Sequence, residues 1–396
     1  MTRLLLLTAG SRGDVVPFVH LAREATRHGH EVVLGLPDHA GADTDDLEVR
    51  SLHADFAALI DAQGVSPVAA WRNFRSVIRP TMSALLAAAL EVALETRPDV
   101  IVAHPKVLTA QVAATALGVP LVVGEIVPAL TPTRAFPAAG VAARDLGPFN
   151  RLTFRATASA GAMFGGDVRA AAKRAGVTGS LAPAAASLVP VSPALLPRPA
   201  DWPETTVLTG PWLDGRPAPE LTGDLRAFAH DGPFTYVGFG SMAAGDPVAR
   251  AEAVAAALRR TGRRGVLATG WGGLDVPAAV RGGDLLVVRD APHASLLPHA
   301  EAAVHHGGAG TVHAAAAAGI PSIVVPFIAD QPWWGHLLAE RGLSPEPVPA
   351  KHLTARRLAT ALDAIPAFAD ANRPLAAALA SEHGAATALA HVESLA

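Results

Sequence analysis

The feature that most constrains this chain is an alternation that runs through it twice. Short apolar runs alternate with alanine-rich stretches of helical spacing. In the first half Leu4–Thr8, Glu31–Leu36, Val49–Leu52, Asp99–Ala103 and Pro120–Gly124 read as strands, and Val16–His28 and Leu108–Leu117 as helices. In the second half the strands are Thr235–Phe239, Gly265–Thr269, Leu285–Val288, Ala302–His305 and Pro321–Pro326. The helices there are Pro247–Thr261, Gly310–Ala318, Trp333–Arg341, Ala355–Ile365 and Ala367–Ser381. A strand with no polar face is buried on both sides, and parallel neighbours need a crossover between them. The pattern therefore calls for parallel sheets covered by helices. At 396 residues, half of them apolar, the chain is long enough for two such α/β domains.

Between the halves, Leu195–Pro219 has no period and repeats Pro and Gly, which reads as an interdomain linker. The expected organisation is a Rossmann-like domain over 1–200, a linker over 201–219, a second Rossmann-like domain over 220–370 and a helical tail over 371–396. Domains of this kind take ligands beyond the carboxyl ends of their strands. A net charge of -3 argues against nucleic acid as a partner. The chain has no cysteine, which removes disulfides and thiolate metal sites and fits the cytoplasm. The first apolar run is too short for a secretory leader, and no apolar run reaches the ~18 residues of a spanning helix. Stable membrane insertion is therefore not expected. Only three of the 32 basic residues are lysine, a bias that points to a GC-rich, bacterial coding sequence.

Two turns stand where a strand meets a helix, "GFGS" at Gly238–Ser241 and "HHGGAGT" at His305–Thr311. Glycine lets a ligand approach the main chain, and a helix N-terminus offers N–H groups and the positive dipole end. Two such turns can seat both phosphates of a diphosphate, and tight turns of purely structural origin have the same composition. Neither turn is a P-loop or GxGxxG. Just past a strand, Asp330 and Gln331 can grip the vicinal hydroxyls of a sugar or open the next helix, with Pro332 in its first turn. Asp14, in "GSRGDVVP", reads either as a helix-opening residue or as a base for an acceptor hydroxyl. A helix dipole holds its pKa down, which counts against the second role. His20 follows on the same helix. His104 and Lys106 end a strand on the ligand side. "DTDD" at Asp43–Asp46 has the text of a DxD metal motif in a polar loop, and there is neither an HExxH nor a spaced histidine cluster. No GxSxG elbow occurs, which argues against a serine hydrolase.

Taken in order, "GSRGD", "GFGSM", "GWGGL", "DAPHASLLP", "HHGGAGTVHAAAAAGIPSIVVPF" and "ADQPWW" resemble the GT-B glycosyltransferases of the UDP-glucosyltransferase family. The likeness is greatest to the branch of sterol 3-β-glucosyltransferases and actinobacterial antibiotic glycosyltransferases. It is specific across Gly265–Glu346 and diffuse across residues 40–200. The resemblance implies two Rossmann-like domains facing a cleft, with a C-terminal helix crossing back to the first. It implies a diphosphate cradle at His306, Gly308, Gly310 and Thr311, and a second phosphate contact at Gly240 and Ser241. Trp271 and Ala291-Pro292-His293 match the region near the nucleotide base, and Asp330 and Gln331 the pair on the sugar hydroxyls. Asp14 matches the acidic residue taken as base in the antibiotic branch, whereas many members of the wider family carry a catalytic histidine near this turn. His20, Trp71, Phe74, His104 and Phe136 are the candidates for a hydrophobic acceptor pocket.

The implied activity is inverting, metal-independent transfer of a hexose, foremost glucose from UDP-glucose, to a hydroxyl of a sterol or polyketide. No cofactor is implied, since the nucleotide sugar is a substrate. A TDP-deoxysugar donor is the alternative within the class. Rivals outside it are a nucleotide-sugar epimerase, a lipid-linked peptidoglycan glycosyltransferase and a helper protein without chemistry. The last would lack the cradle or the Asp-Gln pair, and both are present.

Overall fold

The protein is described from a computed structural model covering residues 1–55, 74–213 and 215–396. It divides into two compact units. The first comprises Met1–Ala138, Leu146–Gly215 and Glu382–Ala396, and the second Ala139–Asp145 and Arg216–Ser381.

The first unit is built on seven strands: β1 (Arg3–Leu7), β2 (Glu31–Asp38), β3 (Glu48–Asp55), β4 (Val100–Ala103), β5 (Leu121–Gly124), β6 (Ala186–Val189) and β7 (Thr206–Leu208). Their order across the sheet is β3-β2-β1-β4-β5-β6-β7, and every pairing is parallel. β1 explains itself: four consecutive leucines send alternate side chains to opposite faces, and both faces are covered. Leu5 and Leu7 pack under the helices Arg79–Thr96 and Thr109–Leu117. Leu4 and Leu6 pack under the helix Arg12–Arg27 and the terminal helix Gly384–Glu393.

The second unit carries β8 (Thr235–Gly238), β9 (Gly265–Ala268), β10 (Leu285–Val288), β11 (Ala302–His305) and β12 (Ser322–Val324), in the order β10-β9-β8-β11-β12. All pairings are again parallel. Val237, Val304 and Ile323 point to one face, while Tyr236, Val266 and Ala303 point to the other. In each sheet the strand order reverses beside its first strand. The crevice of a doubly wound sheet opens at that reversal, beyond the carboxyl ends of the two strands flanking it. Those pairs are β1 with β4 and β8 with β11.

Several expectations from sequence change here. β7 lies inside Leu195–Pro219, so this stretch is part of a sheet before it becomes a connection. The units divide at Gly215/Arg216. The tail is not one body. Ala369–Ala380 packs on Ala309–Ala317 in the second unit, and Gly384–Glu393 packs on Arg12–Arg27 in the first. Gly384 permits the second docking, because a Cβ there would run into the carbonyl oxygens of Gly210 and Pro211. Among the described residues one helical stretch, Phe74–Thr96, is long and apolar enough by length and composition to cross a membrane. Its Leu85, Leu86, Ala89 and Leu90 are core residues of the first unit.

Candidate functional site

In the second unit the chain leaves β11 through His305 and His306 and enters the helix Ala309–Ala317. His305 is fully buried. Its Nδ1 accepts a hydrogen bond from the Gly307 amide at 3.1 Å, so the proton sits on Nε2, which donates to Ser322 Oγ at 2.9 Å. Burial, with His306 and His293 nearby, pushes its pKa down to about 3, and the neutral ring acts as a pin for the turn. Gly307 has φ +90°, and a Cβ there would lie 2.7 Å from Val324 Cγ1 and 3.0 Å from the Gln331 carbonyl oxygen. Gly308 is the N-cap, and no side chain caps the helix. A Cβ on Gly308 would stand 2.6 Å from His306 Nε2, so the imidazole lies against bare backbone at a helix N-terminus. Gly310 is exposed with open space around it, and Thr311 is part-buried beside it.

His306 is kept neutral. Burial lowers its pKa to about 4, His293 adds to the effect, and the Gly238 backbone opposes it. Its Nδ1 is buried without a hydrogen bond of good geometry. A helix N-terminus with no side-chain cap carries N–H groups and the positive dipole end, chemistry that can hold an anion.

The neighbouring turn follows β8. Gly240 has φ +58°, and its carbonyl accepts from the Trp271 amide at 3.2 Å. Cβ atoms on Gly270 and Gly273 would come within 2.6 and 2.9 Å of that carbonyl. These glycines let the Trp271 loop close onto the Gly240–Ser241 turn. The Trp271 ring is 60% exposed, with the Arg289 guanidinium 5.7 Å from its centre, and so offers a flat face to a heterocycle. Arg250 ties both turns from beneath, donating to the carbonyls of Met242 (3.0 Å), Ala244 and Gly273. It also lies 4.8 Å from the centre of the Phe327 ring. After Ala291 and Pro292, His293 places Nε2 2.8 Å from the hydroxyl of Tyr236, the chain's only tyrosine. Burial, with Asp290 nearby, raises the pKa of that hydroxyl, so it stays protonated.

Past β12, Ala329 takes the left-handed conformation at φ +55°, rare for a residue with a side chain and typical of functional turns. It presents Asp330 and Gln331. Asp330 accepts from the Trp334 indole at 3.0 Å. The Gln331 side-chain oxygen accepts from the amides of Phe327 (2.8 Å) and Ile328 (3.1 Å), and its nitrogen faces Met242 Sδ at 3.3 Å. Gln331 is thus committed to holding the loop.

In the first unit, Asp14 lies in the opening turn of the helix after β1. Its Oδ2 accepts from the Ser11 amide at 2.8 Å and the Ser11 hydroxyl at 3.2 Å. Its Oδ1 faces His104 Nε2 at 3.2 Å and Lys106 Nζ at 3.1 Å. β4 delivers both partners, because it pairs directly with β1 and ends level with it, Leu7 opposite Ala103. Burial pushes the Asp14 pKa up, but the Lys106 charge and the His104 hydrogen bond outweigh it and hold the carboxyl well below the usual range. The pKa of His104 is lowered, by burial first. Its Nδ1 accepts from the Lys106 amide at 3.1 Å, so Nε2–H donates to Asp14.

Of the described acceptor-pocket candidates, His104 meets Asp14. His20 Nδ1 bonds the Trp212 carbonyl at 2.9 Å. Phe136 is buried edge-on against Trp202, with ring centres 6.0 Å apart. Phe74 packs on Phe164 at 6.3 Å, and Trp71 lies outside the described residues. In "DTDD", Asp43 and Asp46 both engage the buried Arg23, at 3.1 and 2.7 Å, so they are spent on a structural clamp. Sequence reasoning did not find Arg250 or Tyr236. Being the only tyrosine, two residues before a glycine turn, was a signal for Tyr236. For Arg250, in a helix, there was none.

Comparison with known proteins bears on the family and the fold. Residues 4–131 match the glycosyltransferase family 28 N-terminal domain. Residues 273–393 match the C-terminal domain of the family described as erythromycin biosynthesis protein CIII-like. The chain is 33% identical to the O-mycaminosyltylonolide 6-deoxyallosyltransferase of Streptomyces fradiae, over 99% of this chain and 97% of that enzyme. It is 30% identical to a sterol 3-beta-glucosyltransferase of Arabidopsis thaliana, over 98% of this chain and 67% of that one. The crystal structure of the glycotransferase of kitacinnamycin superposes with a TM-score of 0.76 at 20% identity, covering 100% of this chain and 99% of that one. With two parallel α/β units and an identity above 30% to an enzyme whose length it nearly spans, the chain belongs to the GT-B glycosyltransferases of family 1.

Proposed function

We propose that the protein transfers a hexose, foremost glucose from UDP-glucose, to a hydroxyl of a hydrophobic acceptor such as a sterol or polyketide, with inversion and without a metal. The observation that carries this reading is the uncapped helix N-terminus at Gly308, with neutral, buried His306 against it. The acceptor oxygen bonds to the anomeric carbon while the bond to the diphosphate breaks. Negative charge grows on the departing phosphate oxygen. The helix N–H groups, Thr311 and His306 stabilise it, as fixed dipoles do wherever charge develops. The diphosphate also favours protonation of His306, which burial opposes. Asp14 takes the proton of the acceptor hydroxyl. One displacement inverts the sugar, so an α-linked donor gives a β-glycoside. Trp271 stacks on the nucleotide base, and Asp330 holds sugar hydroxyls.

A second reading, transfer of a deoxysugar from a TDP donor, is favoured by Gln331. Its side-chain oxygen is engaged by the loop, so the sugar has one acceptor fewer to grip it and one lacking a hydroxyl is tolerated. Kinetics of two variants test the chemistry. His306→Ala should lower kcat by about 100-fold or more, the scale of losing one such donor, with the fold intact. Asp14→Asn should lower kcat and leave nucleotide affinity unchanged. Normal turnover in His306→Ala would remove the leaving-group role. A loss of affinity alone in Asp14→Asn would make Asp14 a binding residue.

A further inference from the structure

The Asp14 side chain is 21% exposed, but its oxygens are already engaged by four donors. A carboxylate offers about four lone-pair positions. Here Ser11 N and Oγ take Oδ2, and His104 Nε2 and Lys106 Nζ take Oδ1. Three of these donors are fixed. The two from Ser11 belong to the helix opening, and His104 is 5% exposed with its other nitrogen held by the Lys106 amide. The fourth is exchangeable. Lys106 reaches Asp14 on a flexible stem with its side chain 46% exposed, and an ammonium that leaves can go to water. The place is built for this contact: Gly10 has φ +132°, and a Cβ there would run into Asp14 Oδ2 and lie 2.7 Å from Lys106 Nζ.

We propose that Lys106 Nζ occupies the seat of the acceptor hydroxyl on Asp14, and that the acceptor enters by displacing it. This rests on the reading of Asp14 as the base. While the ion pair stands, Asp14 is a poor proton acceptor, and water is refused along with everything else. Displacement removes a positive charge from 3.1 Å, so the carboxylate gains basicity only when a hydroxyl has taken the lysine's place. Lys106 is then a positioning residue that guards the donor against hydrolysis. In that side reaction water bonds to the anomeric carbon, the bond to the diphosphate breaks, and the proton passes to Asp14. The titratable groups facing Asp14 are Lys106 and His104, and His104 is neutral.

The test uses full-length Lys106→Met and Lys106→Arg, with UDP-glucose and TDP-glucose in separate reactions. Nucleoside diphosphate release is followed without acceptor. Kinetics and the pH profile of kcat/KM are followed with a sterol, a flavonoid and a macrolide as acceptors in separate reactions. Lys106→Met should hydrolyse donor at least about tenfold faster and show a lower acceptor KM at unchanged donor KM. The acidic limb of its profile should move to higher pH, because no charge now holds the carboxyl ionised. Lys106→Arg should restore all three toward the wild type. If Lys106→Met leaves hydrolysis, acceptor KM and the acidic limb unchanged while Asp14→Asn is inactive, the displacement is wrong and the base reading stands. If Asp14→Asn transfers at the wild-type rate, the base reading fails and takes the proposal with it.

Discussion

Acid should unfold the second unit before most of its carboxylates titrate. Three of its imidazoles are buried neutral, with His305 at about 3 and His306 and His313 at about 4. In the unfolded chain each returns to about 6.5. Between these values the unfolded state binds more protons, so stability rises with pH. It is fully present above about 6.5 and is lost as pH falls. Each buried imidazole then costs about 0.8 kcal/mol at pH 6 and about 2 kcal/mol at pH 5. His306 keeps an edge toward solvent and contributes less, so the three together cost roughly 4–6 kcal/mol at pH 5, a large part of the ~5–15 kcal/mol that holds a domain folded. Urea unfolding at pH 8, 7, 6 and 5 measures this, with tryptophan fluorescence as the signal, since Trp271, Trp333 and Trp334 lie in this unit. His313 stacks edge-on to Trp334 at 5.6 Å. His313→Phe keeps that packing and removes one titration, so it should shrink the loss between pH 8 and pH 5 by about 2 kcal/mol. An unfolding midpoint that stays constant from pH 8 to pH 5 would refute the argument.

Two other perturbations bear on the donor site. Gly308→Ala suits the backbone, whose φ is -67°, but its methyl displaces the His306 ring. Donor-dependent turnover should fall at least about tenfold, the equivalent of about 1.4 kcal/mol, with little change in melting temperature. Unchanged kcat and donor KM would contradict this. Arg250→Met strands the carbonyls of Met242, Ala244 and Gly273, at about 1–3 kcal/mol for each polar group left buried and unpaired. Because these carbonyls belong to the turns on either side of Trp271, steady-state kinetics should show donor KM rising more than acceptor KM. An equal rise in both would assign Arg250 to general stability.

The parts of the fold that were legible in the sequence are those whose chemistry is local. A parallel strand buried on both faces must be apolar throughout, and a helix that covers it shows alanine and leucine at helical spacing. β1, β2, β4, β5 and β8 to β12 announce themselves in this way, whereas β3, an edge strand of sequence EVRSLHAD, is exposed at alternate positions over much of its length. β6 and β7 do not. One is four residues and the other three, and β7 lies among prolines. They exist because β5 offers an edge to pair with, which no local pattern records. The candidate site divides along the same line. The glycine turns could be read because a turn and a helix start leave a local signature. The contacts of Asp14 could not, because Lys106 is 92 positions away, and only the β1–β4 pairing brings the two together. Arg23 with Asp46, and Arg250 with Gly273, were hidden for the same reason. Gln331 shows the converse. Its place beside Asp330 suggested a sugar contact, whereas the structure spends its oxygen on two amides of its own loop.

Mass spectrometry of the transfer reaction tests the central claim most directly. The purified protein is incubated in EDTA with UDP-glucose, UDP-galactose, UDP-GlcNAc or TDP-glucose, each with a panel of sterols, flavonoids and macrolides. The account predicts a hexose added to at least one aglycone without metal, and its loss in His306→Ala. A wild-type protein that neither glycosylates an acceptor nor hydrolyses any of these donors, or that transfers equally well with His306 replaced, would contradict it.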